Sequence, residues 1–138
     1  MLRLFDNACI LEMQPLADDD APGDGHLRLA IRVRSDSFAG EARTRVDAHG
    51  LARFARALQA LGRAAGGAAV LASIAPNELH LRMHAADGGG RVAVSGSIGA
   101  ARYVEGVRLG HAVSFGFEFE RSQLDAALAV PWLRASLG

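Results

Sequence analysis

The sequence predicts an α+β domain: a curved, mainly antiparallel sheet of about seven or eight strands, with two helices, one central and one C-terminal, packed on one face. Three observations carry this prediction. Apolar and polar residues alternate with period two in several separate stretches, as they do in strands with one dry face. Turn-forming residues separate neighbouring stretches, which makes the connections hairpins and the pairing antiparallel. Three-four spacing of apolar residues occurs in one mid-chain stretch and again near the end.

In chain order, the run from Ala8 to Leu16 reads as a strand that Pro15 ends or places at a sheet edge. Ala17 to Gly25, with four acids, two glycines and a proline, reads as an exposed loop. Leu27, Leu29, Ile31 and Val33 alternate with Arg28, Ala30, Arg32 and Arg34, giving the clearest strand in the chain. After a turn at Ser35-Asp36-Ser37, Phe38 to Val46 continues as its hairpin partner, with Glu41, Arg43 and Arg45 on the polar side. Asp47 caps a helix from Ala48 to about Leu61, whose inner stripe is Leu51, Phe54, Ala55, Leu58 and Leu61, and glycines at 62, 66 and 67 stop it.

A second block of strands begins with Ala69 to Ser73. Leu79, Leu81 and Met83 follow, alternating with His80, Arg82 and His84 after a turn at Ile74 to Asn77. Asp87-Gly88-Gly89-Gly90 is a hairpin turn, and Val92, Val94 and Ile98 form the return strand. Gly99 to His111, with three glycines, is either a long loop or a short irregular hairpin. Phe115, Phe117 and Phe119 occupy the apolar phase of the next strand, opposite Glu118 and Glu120. A final helix opens at Ser122 to Asp125 with Leu124, Ala127 and Leu128 inside; Pro131 breaks or kinks it before a last turn bearing Trp132, Leu133 and Leu137.

The chain is 138 residues and 14.5 kDa, enough for one domain spanning 1–138 with its own core, and no linker or motif repeat divides it. Fifteen arginines, with no lysine, balance fifteen acids, which argues against a broad cationic footprint for nucleic acid or an anionic membrane. Cys9 is the sole cysteine, sits in an apolar run that reads as buried, and can form neither an internal disulfide nor a cysteine cluster for zinc. That lone cysteine leads to the expectation of a reducing, cytoplasmic setting. The first sixteen residues lack the features of a secretion signal, and no apolar run approaches the roughly 20 residues of a membrane span.

None of the chemistry-bearing residues forms a catalytic constellation, and no cofactor is expected. His80 and His84 are separated along a strand by about 13 Å, too far to share a metal ion. Glu118 and Glu120 lie about 6.6 Å apart on one strand face, where cross-strand pairing with arginines is the expected role rather than acid-base work. Gly88-Gly89-Gly90 lacks the lysine and helix of a phosphate loop, and Asp18-Asp19-Asp20 lacks the ligand alternation of a calcium loop. What remains is a candidate partner-binding set: Asp18, Asp19, Asp20 and Asp24 in the acidic loop, with Arg28, Arg32, Arg34, His80, Arg82 and His84 on polar strand positions. Guanidinium forks there suit carboxylates and protein interfaces.

Several stretches resemble the WapI-type family of small bacterial proteins, whose namesake is the immunity partner of a contact-dependent tRNA nuclease toxin. The resemblance covers most of the chain. It lies in Leu27 to Ser35 and Phe38 to Ala42, in Leu51 to Leu58 with Leu61, in Leu71 to Leu79, in Gly90 to Val94, and in Val113 to Leu124. It implies a non-enzymatic protein that neutralises a cognate protein toxin by covering its surface. Two other classes fit the same elements: a small-ligand carrier or enzyme with an apolar pocket between sheet and helices, and a structural homo-oligomer joined through an exposed sheet face or edge.

Overall fold

The computed structural model describes residues 1–16, 25–63, 66–86 and 90–137. Its elements are β1 (Leu2–Asp6), β2 (Cys9–Pro15), β3 (His26–Ser35), β4 (Phe38–Asp47), α1 (Ala48–Gly62), β5 (Ala68–Ala72), β6 (Leu79–Ala86), β7 (Arg91–Val104), β8 (Val107–Glu120), α2 (Gln123–Leu128) and α3 (Pro131–Arg134), with a 3-10 turn at Ala135–Leu137. The protein is α+β and its pairing is antiparallel throughout.

The eight strands among the described residues form two sheets rather than one. β1-β2-β3-β4 is a meander, β5-β6-β7-β8 is a second meander, and each is followed by helix. The split falls where a 15-residue helix separates β4 from β5, so the two strands that would have to join the halves are not linked by a hairpin. What crosses from the outer strand β4 is slighter: the Ile74 amide donates to the Arg45 carbonyl at 2.9 Å, and the Thr44 hydroxyl donates to Glu78 Oε1 at 2.6 Å. Thr44 is buried and thereby satisfied.

Alternation decides which face of each sheet is dry. Leu2, Leu4, Leu11, Met13, Leu29, Ile31, Val33, Ala42 and Val46 turn inward from the first sheet; Ala69, Leu71, Leu79, Leu81, Met83, Val92, Val94, Ile98, Phe115 and Phe119 do so from the second. Together with the stripe of α1 they make one core. β8 lies against β1, β3 and β4, and β7 against β4; α1 lies on β5 and touches β4, while α2, α3 and the 3-10 turn gather against α1.

The local signals act as their chemistry requires. Asp47 Oδ1 accepts the Gly50 amide at 2.6 Å and so caps α1. Pro131 sits in the first turn of α3, where its missing N–H costs nothing. β1 was not anticipated from the sequence; it pairs with β2 through a turn at Asn7-Ala8, with Asn7 at φ 49°. Cys9, expected to be buried, is partly exposed, its Sγ 3.9 Å from Ser35 Oγ.

Candidate functional site

The residues singled out in the sequence fall into three places. Asp18, Asp19, Asp20 and Asp24 lie outside the described residues, as does most of the Asp87–Gly90 turn. Arg28, Arg32 and Arg34 lie on the outer face of the first sheet, whereas His80, Arg82 and His84 lie on the outer face of the second, so they do not form one surface. Arg32 is held by Glu41, directly opposite on β4, through Nε–Oε1 at 2.9 Å. Arg82 Nη1 is 3.0 Å from Nδ1 of His84, and His80 stands opposite Ser97. Among the described residues, no three metal-ligating side chains converge.

Two hollows mark the outer face of the first sheet. One, of about 610 Å3, runs between Glu12, Gln14, Arg32, Glu41 and Arg43, with Ala100 at its rim. The other, of about 430 Å3, lies between Arg28, Arg43, Arg45, Thr44 and Glu78. Both are open troughs of mixed character: Met1, Met13, Ala30, Ile31 and Ala42 also line the first, and Leu16, Ile74 and Ala75 the second. Of the phenylalanines that would flank an apolar pocket between sheet and helices, Phe54, Phe115 and Phe119 are packed in the core and Phe117 lies partly buried against it.

Glu118 and Glu120 both face Arg91. Its Nη1 is 2.9 Å from Glu120 Oε1, its Nε 3.9 Å from Glu118 Oε2, and its Nη2 also reaches Asp6 and the Glu118 carbonyl, each at 3.0 Å. Beside this cluster the Gln123 side chain bonds both backbone groups of Phe5: its Oε1 accepts the amide at 2.9 Å and its Nε2 donates to the carbonyl at 2.8 Å. These contacts tie the outer strand of the first sheet to the second half of the chain.

The segment left open between loop and hairpin, Gly99 to His111, is neither a loop nor irregular. β7 and β8 pair without interruption from Arg91–Glu120 to Val104–Val107. The turn is Glu105-Gly106, with φ 52° and 80°, the positive pair that a tight two-residue hairpin needs and that glycine meets without steric cost. β6, however, stops pairing at Ile98. From the Gly99–Ala112 pair outward, β7 and β8 therefore continue as a two-stranded arm about 20 Å long, at the usual rise per residue.

The arm is anchored at Gly99, whose amide donates to the Glu78 carbonyl at 3.0 Å. A side chain there would approach the Asn77 carbonyl to 2.5 Å and the His111 carbonyl to 2.9 Å, which is why the position is a glycine. Opposed residues of a strand pair share a face. The face that buries Val92, Val94, Ile98 and Phe119 thus runs outward through Ala100, Arg102 and Val104, with His111, Leu109 and Val107 across from them. Every residue from Ala100 to Ala112 is exposed, including Tyr103 at 71%, Val107 at 59%, Val104 at 48% and Leu109 at 40%. Tyr103 and Arg108 stand opposite each other on the reverse face.

Sequence reasoning missed these residues as a site. The signal was present as the same apolar phase continuing past Ile98 on both sides of an acid-glycine turn, but the three glycines in the segment obscured it.

No protein-family model, curated protein sequence or solved structure matches this chain. Among the described residues, no helix is long and apolar enough to cross a membrane.

Proposed function

We propose that this protein is a non-enzymatic protein-binding domain, of the toxin-neutralising kind implied by its resemblance to the immunity family, and that it docks through the β7–β8 arm. The observation that carries the reading is the exposed apolar row Val104, Val107 and Leu109, a continuation of the core face into solvent. A two-stranded hairpin is at best marginally stable on its own in water, and this one holds three sizeable aliphatic side chains together at its tip, on a face that also carries Arg102 and His111. Tyrosine and arginine are among the side chains that most often dominate interface energetics; Arg102 shares the face of that row, and Tyr103 and Arg108 lie on the reverse face. The open form of both troughs and the packing of Phe54, Phe115 and Phe119 in the core favour this reading over a small-ligand carrier.

The test is affinity capture from source-cell lysate on the full chain, beside the double variant Val104→Asp, Leu109→Asp, with the solution mass of each by sedimentation. A protein retained by the wild type, lost with the variant, and inhibited by the wild type in its own activity supports the reading. Equal retention by both forms rejects the arm as the docking element. A small molecule carried through purification and detected by native mass spectrometry would favour the carrier class instead.

A further inference from the structure

We infer that the arm is clasped on both faces, as a ribbon inserted into a cleft of a different protein that has apolar walls and carboxylates opposite Arg102 and Arg108. This deepens the protein-binding reading and rests on it.

Area is the first argument. A two-stranded ribbon is about 10 Å across and this one about 20 Å long, so a single face offers roughly 200 Å2 and its four sides together roughly 800 Å2. Stable specific interfaces bury about 800 Å2 on each partner. Accessible surface exceeds such a footprint because side chains stand out from the plane, yet one face still offers only about a quarter of what the four sides of the ribbon together can bury.

The distribution of side chains agrees. Val104, Val107 and Leu109 lie on one face and Tyr103 and Arg108 on the other, so contact-forming groups are not confined to one side. Both outer edges are also available. β8 is the last strand of its sheet, and no described strand pairs with β7 beyond Ile98, so backbone donors and acceptors face outward along the arm.

Charge selects the occupant. Between Gly99 and Ala112 the arm carries Arg102 and Arg108 against the single acid Glu105. Two copies paired arm to arm would gather four guanidiniums against two carboxylates, a surplus of like charge that disfavours self-association. A cleft bearing carboxylates satisfies both arginines bidentately.

The experiment places the photocross-linker benzoylphenylalanine in the full chain in place of Tyr103, Leu109 or, as a control on the outer face of the first sheet, Arg34. Each form is illuminated in source-cell lysate and its adducts are identified by mass spectrometry. The expected result is one and the same protein from positions 103 and 109, with adduct yield falling at least tenfold when Arg102→Glu and Arg108→Glu are added. Far-UV circular dichroism and melting confirm that each variant is folded. Adducts from only one of the two arm positions would reject enclosure, and adducts to another copy of this chain would reject a different partner. Adducts from position 34 alone would leave a protein-binding function standing while removing the arm from it. Absence of protein adducts at all three positions would remove both.

Discussion

Arg91 Nη2 lies 3.0 Å from Asp6 Oδ2, joining the end of β1 in one sheet to the start of β7 in the other across 85 residues of chain. The same guanidinium holds Glu120 on β8, so one side chain connects the sheets and braces the base of the hairpin that becomes the arm. Both partners of the Arg91–Asp6 pair are about one-third exposed, and the interaction is correspondingly screened by solvent.

A double-mutant cycle with Asp6→Asn and Arg91→Gln is expected to give a coupling of about 0.5 to 1 kcal/mol in urea unfolding. Raising the salt from about 0.05 M to about 0.5 M should shrink that coupling, because the Debye length contracts severalfold. Coupling that is indifferent to salt would mean that the contact acts through packing rather than charge.

Gln123 offers a cleaner probe of the same junction, since it bonds the backbone of Phe5 twice and carries no charge. Gln123→Ala should lower the unfolding free energy by about 1 to 2 kcal/mol. The Phe5 amide should then exchange faster with solvent, while the amides that pair β2 with β3 keep their protection. Unaltered exchange at Phe5 would count against the bidentate contact.

Core and arm should differ in their response to truncation. Phe54 is fully buried in the stripe of α1, and Phe54→Ala should cost about 3 to 5 kcal/mol. Tyr103→Ala, on the arm, should stay within about 0.5 kcal/mol of wild type. Urea midpoints with unchanged slopes would establish both values, and a large loss for Tyr103→Ala would show that the arm folds onto the body.

The arm itself should be the fast-exchanging part of the second sheet. Amides of residues 100–104 and 107–111 are expected to exchange ahead of those in the Val92–Ile98 stretch of β7 by native-state hydrogen exchange, because they lack both a third strand and a covering layer. Gly99→Ala should destabilise the anchor by about 1 to 3 kcal/mol, as overpacking against backbone carbonyls does. Uniform protection along the whole of β7 would contradict this description.

Much of the fold was legible because alternation reports a physical fact, namely which side of a strand is dry. Leu29, Ile31 and Val33 against Arg32 and Arg34 gave β3 its faces directly, and Asp47 with the Leu51-Phe54-Leu58 stripe gave α1 its start and its inner side. Alternation does not say what covers the dry side. Leu29 reads the same under a helix as under another sheet, and so one sheet was expected where two occur. β1 is only five residues long, and its inward pair Leu2 and Leu4 is too short a run to stand out. The arm was illegible for a related reason. Val104, Val107 and Leu109 carry the same pattern as Val92 and Phe119, and only the point where β6 ends separates buried from exposed.

The bonds at Phe5 and Asp6 also impose an order on biosynthesis. The first meander leaves the ribosome complete, yet the groups that occupy the outer edge of β1 arrive only with Arg91 and Gln123. Translation at about 5 to 20 residues per second leaves that edge open for seconds while the second half is made. Arg3 and Asp6, charged side chains on a short outer strand, are a defence against intermolecular strand addition during that interval. A nascent chain stalled or cleaved ahead of Gln123 is therefore the species expected to aggregate.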